Sequence, residues 1–125
     1  MEYFVIGIGG FLGANARYLV GGWITRAWGS TFPWGTVVIN ITGSFLLGLL
    51  MANLNARPLA SPHYRLFFAI GFLGAYTTFS TFSYETLRLM QDHSVGAALL
   101  NITGSVVLGL VGVSLGVWLG KAFAP

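Results

Sequence analysis

Three stretches of this chain run the width of a membrane without a charge: Trp28 to Ala56, Leu66 to Tyr84 and Ser94 to Gly120. Each can cross a hydrocarbon core as a helix, which takes roughly 20 apolar residues. A fourth stretch, Tyr3 to Trp23, is interrupted only by Arg17. In lipid every backbone N–H and C=O needs an internal partner, so such tracts become helices. Composition agrees. Hydrophobic residues make up 55% of the 125 and charged residues 7%, against about 25% charged in soluble domains. The sequence predicts an all-α integral membrane protein, one domain over 1–125 surrounded by the lipid bilayer. Its four transmembrane helices fall at about 3–27, 33–55, 64–91 and 94–121.

Several function classes drop out. The first helix lacks the basic start of a signal peptide, since Glu2 is its only early charge. With no cysteine there is neither a disulfide nor a thiolate metal site. The net charge of +3 comes from a few basic residues at helix ends, not from a basic face, so nucleic acid is not an expected partner. His63 and His93 fall in loops, and no nucleophile–base pair or phosphate-binding loop stands out. The chain does not read as an enzyme. Glu85 and Asp92 fall towards the end of helix three, leaving no mid-membrane acid of the kind proton-coupled exporters use.

Proline and polar clusters mark the hinges: Trp28 to Pro33, Asn55 to Pro62 and Gln91 to Ser94. The two halves resemble each other. Asn40-Ile-Thr-Gly-Ser44 recurs as Asn101-Ile-Thr-Gly-Ser105, and Gly10-Phe-Leu-Gly-Ala14 as Gly71-Phe-Leu-Gly-Ala75, both 61 positions on. This spacing predicts a duplicated helix pair, 1–61 and 62–125, whose copies run parallel. Charge is balanced across the membrane. Arg57, Arg65 and Lys121 lie on one side, Arg26 and Arg88 on the other with Arg17 near them. Orientation follows a Lys/Arg bias, so its absence permits insertion both ways and an antiparallel dimer. A weakly fixed single orientation fits the charges as well. Small residues recur on helix four (Ser105, Gly109, Gly112, Gly116, Gly120), helix one (Gly9, Gly13) and helix two (Ser44, Gly48). Such residues let backbones approach closely in lipid, either between copies or within one.

Three constellations rise above an ordinary membrane helix. Thr77-Thr-Phe-Ser-Thr-Phe-Ser83 places five hydroxyls in the middle of helix three, just after Gly71 and Gly74. Hydroxyls compete for the backbone, which predicts a local break whose freed carbonyls suit a cation; the rival is an unbroken helix with hydroxyls bonded back to it. Phe79 and Phe82 share one helix face, and aromatic ring edges carry positive potential that an anion can meet. Core packing accounts for most such phenylalanines. Asn40 and Asn101 are costly in hydrocarbon and mark either a helix contact or a polar pathway. Thr36 and Ser44 lie one turn either side of Asn40, and its amide offers two N–H donors to an anion.

Taken together, Gly10-x-x-Gly-Ala-x-x-Arg-Tyr18, Gly35-Thr-x-x-x-Asn-x-x-Gly-Ser44 and Gly71-Phe-x-Gly-x-x-Thr-Thr-Phe-Ser-Thr-Phe82 resemble the signature stretches of the Fluc, or CrcB, fluoride channels. The likeness spans all four helices. It implies an antiparallel dual-topology homodimer with two fluoride pores, each built from both subunits, and a break in helix three. Phe79 and Phe82 then look like the pore's aromatic box and Asn40 like its asparagine. Ser80, Thr81 and Ser105 match hydroxyl positions along the route, and Arg17 an arginine near the vestibule. The carbonyls of Gly74 and Thr77 fall where the family holds a structural Na+ at the dimer interface. Asn101 and Gly109 depart from the pattern, at positions where a tyrosine and a second hydroxyl occur. The implied role is passive fluoride efflux from a cell, with a bacterial inner membrane as the expected location. A small multidrug exporter is the nearest alternative, but Tyr3 to Ala16 lacks the acid it needs. A non-conducting scaffold would leave the polar belt of helix three without a task.

Overall fold

The protein is described here by a computed structural model, over residues 1–57 and 61–123. Four helices dominate it: α1 (Glu2–Trp28), α2 (Trp34–Asn55), α3 (Pro62–Gln91) and α4 (Val95–Ala122). All four are long and apolar enough to cross a membrane. Local signals set their ends. Gly29 closes α1 with φ 89°, a left-handed conformation that glycine adopts without penalty, and its N–H caps the Thr25 carbonyl at 2.9 Å. Pro33 stands just before α2. Ser61 caps α3, with Pro62 at the first helical position. The hinge residues 58–60, Pro58 among them, lie outside the described residues.

α3 is not one regular helix. Its first part passes through a wide π-helical stretch, Arg65–Leu73, and a short α-helical turn, Gly74–Tyr76. Thr77 (ψ 156°) and Thr78 (φ −150°, ψ 119°) are extended, and a regular helix resumes over Phe79–Gln91. The hydroxyl-rich segment is therefore broken. The unbroken helix is thereby excluded, although Thr77 and Ser83 do bond back to the carbonyls of Leu73 and Phe79 at 2.9 Å on either side of the break.

The most extensive packing joins α2 to α4 and α1 to the first half of α3, with α1 also against α2. Glycines make these seams. A Cβ on Gly9 or Gly13 would collide with the carbonyl oxygens of Phe67 and Phe72 in α3. One on Gly48 would meet Val113, and one on Gly116 would meet Phe45. The small-residue faces left open by the sequence are thus used inside the chain, where they bring backbones into direct contact. Between the seams lies a small core of Ile39, Leu73 and Tyr76, with Ala16, Val20, Leu50 and Phe72 against it. The Tyr76 hydroxyl meets Thr42 Oγ1 at 3.0 Å.

The outward surface inverts the soluble pattern. Phe4, Phe11, Trp23, Leu100, Leu110 and Trp118 are all exposed. In a bilayer such side chains are solvated by lipid rather than shunned by water. This is a multi-pass membrane protein.

Candidate functional site

The break in α3 is held by a side chain from α2. In an unbroken helix the Thr78 N–H would bond to the Gly74 carbonyl. Here it donates to Asn40 Oδ1 at 2.8 Å, while Asn40 Nδ2 donates to the Thr78 carbonyl at 3.0 Å. The asparagine amide thus pairs with the opened backbone as a second peptide group would. The exchange releases the Gly74 carbonyl from its helical partner. It also spends one of the two N–H donors for which Asn40 was singled out.

Thr78 starts the second half of α3. Its Oγ1 accepts from the Thr81 N–H at 3.2 Å, donates to Thr81 Oγ1 at 3.0 Å and lies 3.5 Å from Ser80 Oγ. The result is an N-cap with three hydroxyls gathered at the mouth of a helix. One turn beyond, the Phe79 and Phe82 rings are 5.8 Å apart and tilted by 43°. Phe79 is exposed and Phe82 half-buried.

Two cavities meet at this point. A cleft of about 290 Å³ is lined by Asn40, Ser44, Gly74, Thr77, Thr78 and Phe79. A larger one, about 740 Å³, is lined by Arg17, Arg26, Thr36, Thr78, Thr81 and Glu85. Thr78 borders both. The larger cavity combines two arginines with hydroxyls and one carboxylate. Thr36 Oγ1 donates to Glu85 Oε1 at 2.9 Å, and Glu85 Oε2 is buried with no hydrogen-bond partner among the described residues. Glu85 therefore faces into the bundle beneath Thr36. Its sequence position, towards the end of helix three, gave no sign of this contact.

Helix α4 carries a second polar group. Asn101, 1% exposed, donates from Nδ2 to Thr86 Oγ1 at 2.9 Å and accepts from Ser105 Oγ at 3.3 Å. Asn101 is a helix contact, joining α4 to the second half of α3. Ser105 lines neither of the two cavities.

The structure thus gathers Asn40, Gly74, Thr77, Phe79, Ser80 and Thr81 around the break. It places Arg17 at the larger cavity and Phe82 one turn along, with Ser105 on the neighbouring helix. Sequence reasoning missed Thr78 and Glu85. The sequence signal for Thr78 was weak, since Thr77 and Ser80 also carry a hydroxyl three residues on and any of the three could have been the N-cap. Glu85 gave no such sign, because its partner Thr36 is 49 residues away in sequence. No cluster of three or more His, Cys, Asp or Glu exists among the described residues.

Comparison with known proteins completes the picture. Residues 4–117 match the family described as CrcB-like protein, Camphor Resistance (CrcB). A protein of Acidobacterium capsulatum named fluoride-specific ion channel FluC is 50% identical over 121 residues, 97% of each chain. One of the same name from Hydrogenovibrio crunogenus is 46% identical over 123 residues, 98% of this chain and 93% of its own. A third, from Thermus thermophilus, is 47% identical over 121 residues, 97% of this chain and 94% of its own.

Proposed function

The chain belongs to the CrcB-like family, and from that premise we propose that it is a fluoride-specific channel. It gives passive fluoride efflux through two pores in an antiparallel dual-topology homodimer, and so protects a bacterial cell from fluoride. The carrying observation is likeness along nearly the whole length to relatives named for fluoride, 50% identical in one case.

The geometry supports this reading in chemical terms. Fluoride is small and firmly hydrated, so a selective route must replace its water with several weak donors and still release the ion. Asn40 retains one free N–H, the hydroxyls of Ser80 and Thr81 are donors, with that of Ser105 becoming one when it leaves Asn101, and the Phe79 and Phe82 ring edges offer positive potential. No lysine stands among them to trap the anion. Arg17 raises the local anion concentration at the entrance. The exposed apolar faces left after α1–α3 and α2–α4 packing are available for a second copy.

A structural Na+ also fits the chain's chemistry. Once Asn40 takes the Thr78 N–H, the Gly74 carbonyl, with that of Thr77, is a neutral oxygen donor of the kind sodium accepts at unwound helices. Bound there, with equivalent groups from a second copy, sodium would add positive potential near both pores.

The test is anion efflux from liposomes holding purified protein, fluoride against chloride, with Phe82→Ile alongside. Fast fluoride efflux, no chloride efflux and an inactive variant are expected. Folded protein that releases no fluoride would overturn the proposal. Replacing sodium with a bulky organic cation on both sides should abolish fluoride flux while leaving the protein folded, and undiminished flux would remove the sodium from the reading.

A further inference from the structure

Ser105 differs from the other helical hydroxyls around it. Thr42, Ser44, Thr103 and Ser114 each donate to the carbonyl four residues back, at 2.7–2.8 Å, which commits the one proton a hydroxyl has. Ser105 donates to the side chain of Asn101 instead, at 3.3 Å. Asn101 passes the pattern on to Thr86 at 2.9 Å, and Thr86 Oγ1 donates to the Phe82 carbonyl at 2.8 Å. A one-way chain of donors thus connects Ser105 on α4 to the backbone of Phe82 on α3.

Two features make this chain reversible. Its centre is a carboxamide, whose oxygen and nitrogen ends exchange places by a half turn of the terminal torsion, which has two comparable settings. Its longest link is the one to Ser105, so that link yields first. With the amide turned over, Asn101 Oδ1 accepts from the Thr86 hydroxyl and Nδ2 donates to Ser105 Oγ. Thr86 then releases the Phe82 carbonyl. The Ser105 proton is set free, with no proton transferred and no charge moved.

We infer that Asn101 is a positioning residue for Ser105: its buried amide keeps that hydroxyl off the α4 backbone and, by turning over against Thr86, frees it to donate to a passing anion. The inference rests on the proposed function, in which Ser105 borders the fluoride route. A hydroxyl whose proton is committed shows an anion only its lone pairs, which repel. One whose oxygen is held by an amide N–H points its proton at the anion and is a stronger donor for it. Deleting the Asn101 amide would let Ser105 fall back on the Asn101 backbone carbonyl, as Ser44 does on that of Asn40.

Fluoride efflux from liposomes tests this with wild type, Ser105→Ala, Asn101→Leu, Thr86→Val and the two doubles that combine the latter changes with Ser105→Ala. Losing a donor to a charged partner slows the process about tenfold, the effect expected for Ser105→Ala and for Asn101→Leu. Thr86→Val, which keeps the shape but not the hydroxyl, should slow it about threefold. Each double should be no slower than Ser105→Ala alone, because Asn101 and Thr86 act through that hydroxyl. Losses that multiply would mean Asn101 is only an interhelical contact, and would overturn the inference. So would normal flux in Ser105→Ala, or in both of the other single variants. If Asn101→Leu fails to fold, Thr86→Val carries the same comparison. Wild-type protein without fluoride flux would instead sink the channel reading itself.

Discussion

The pentapeptide Asn-Ile-Thr-Gly-Ser occupies residues 40–44 of α2 and 101–105 of α4, and the two copies do different work. Their threonines share one bond, Thr42 and Thr103 each donating to the carbonyl four residues before, though Thr42 also meets the Tyr76 hydroxyl. Their asparagines do not. Asn40 is half-buried and pairs with the main chain of Thr78 through both ends of its amide. Asn101 is fully buried and meets only side chains, Thr86 and Ser105. The difference lies in the facing helix. Opposite Asn40, α3 is open and offers a free N–H and C=O; opposite Asn101 it is regular and has only side chains to offer. One residue type in one local sequence thus serves as a prop for broken backbone in α2 and as a side-chain link in α4.

The comparison can be broken most forcefully at Asn40. Asn40→Leu leaves the Thr78 N–H and carbonyl without partners, and unmet backbone groups cost about 1–3 kcal/mol each. Fluoride efflux should fall to background. Thermal unfolding in detergent should show a stability loss of about 3 kcal/mol, the sum of two such groups at the low-to-middle range. Asn101→Leu removes side-chain partners only, so its stability loss should be smaller, about 1 kcal/mol. Equal destabilisation of the two variants would mean that the two asparagines do the same work.

Smaller changes sharpen the contrast. Thr78→Val keeps the backbone pair with Asn40 but deletes the N-cap, and should cost about 1 kcal/mol with a shallower unfolding transition. Thr36→Val, which takes the single hydrogen bond from Glu85, should lower stability by about 1–2 kcal/mol because it leaves a second carboxylate oxygen unpaired. Ser44→Ala should be nearly silent, within about 0.5 kcal/mol, since its hydroxyl only bonds back to its own helix. A large effect there would show that Ser44 does more than bond back to its own helix.

Much of this was legible in the chain. Three charge-free tracts and a fourth broken only by Arg17 gave four membrane-crossing helices, because lipid leaves a backbone no other choice. The crowding of Thr77, Thr78, Ser80, Thr81 and Ser83 marked the break in α3, since hydroxyls compete for backbone partners. The glycine spacing identified faces of close approach but not their partners. Those faces turned out to serve α1–α3 and α2–α4 contact within the chain, because a glycine face reads the same whichever backbone it meets. Thr78 was hidden in a run where every hydroxyl looked equivalent until one of them became the cap.

The sequence by itself determined the solvent, the number of crossings and the place where α3 opens, all of which follow from hydrophobicity and local backbone competition. Only the tertiary structure decided what each polar side chain does. It took the arrangement of four helices to bring Asn40 to Thr78 across 38 residues, Thr36 to Glu85 across 49, and Asn101 to Thr86 across 15. A polar residue in hydrocarbon must find a partner, but which partner depends on which helix faces it, and local sequence carries no record of that.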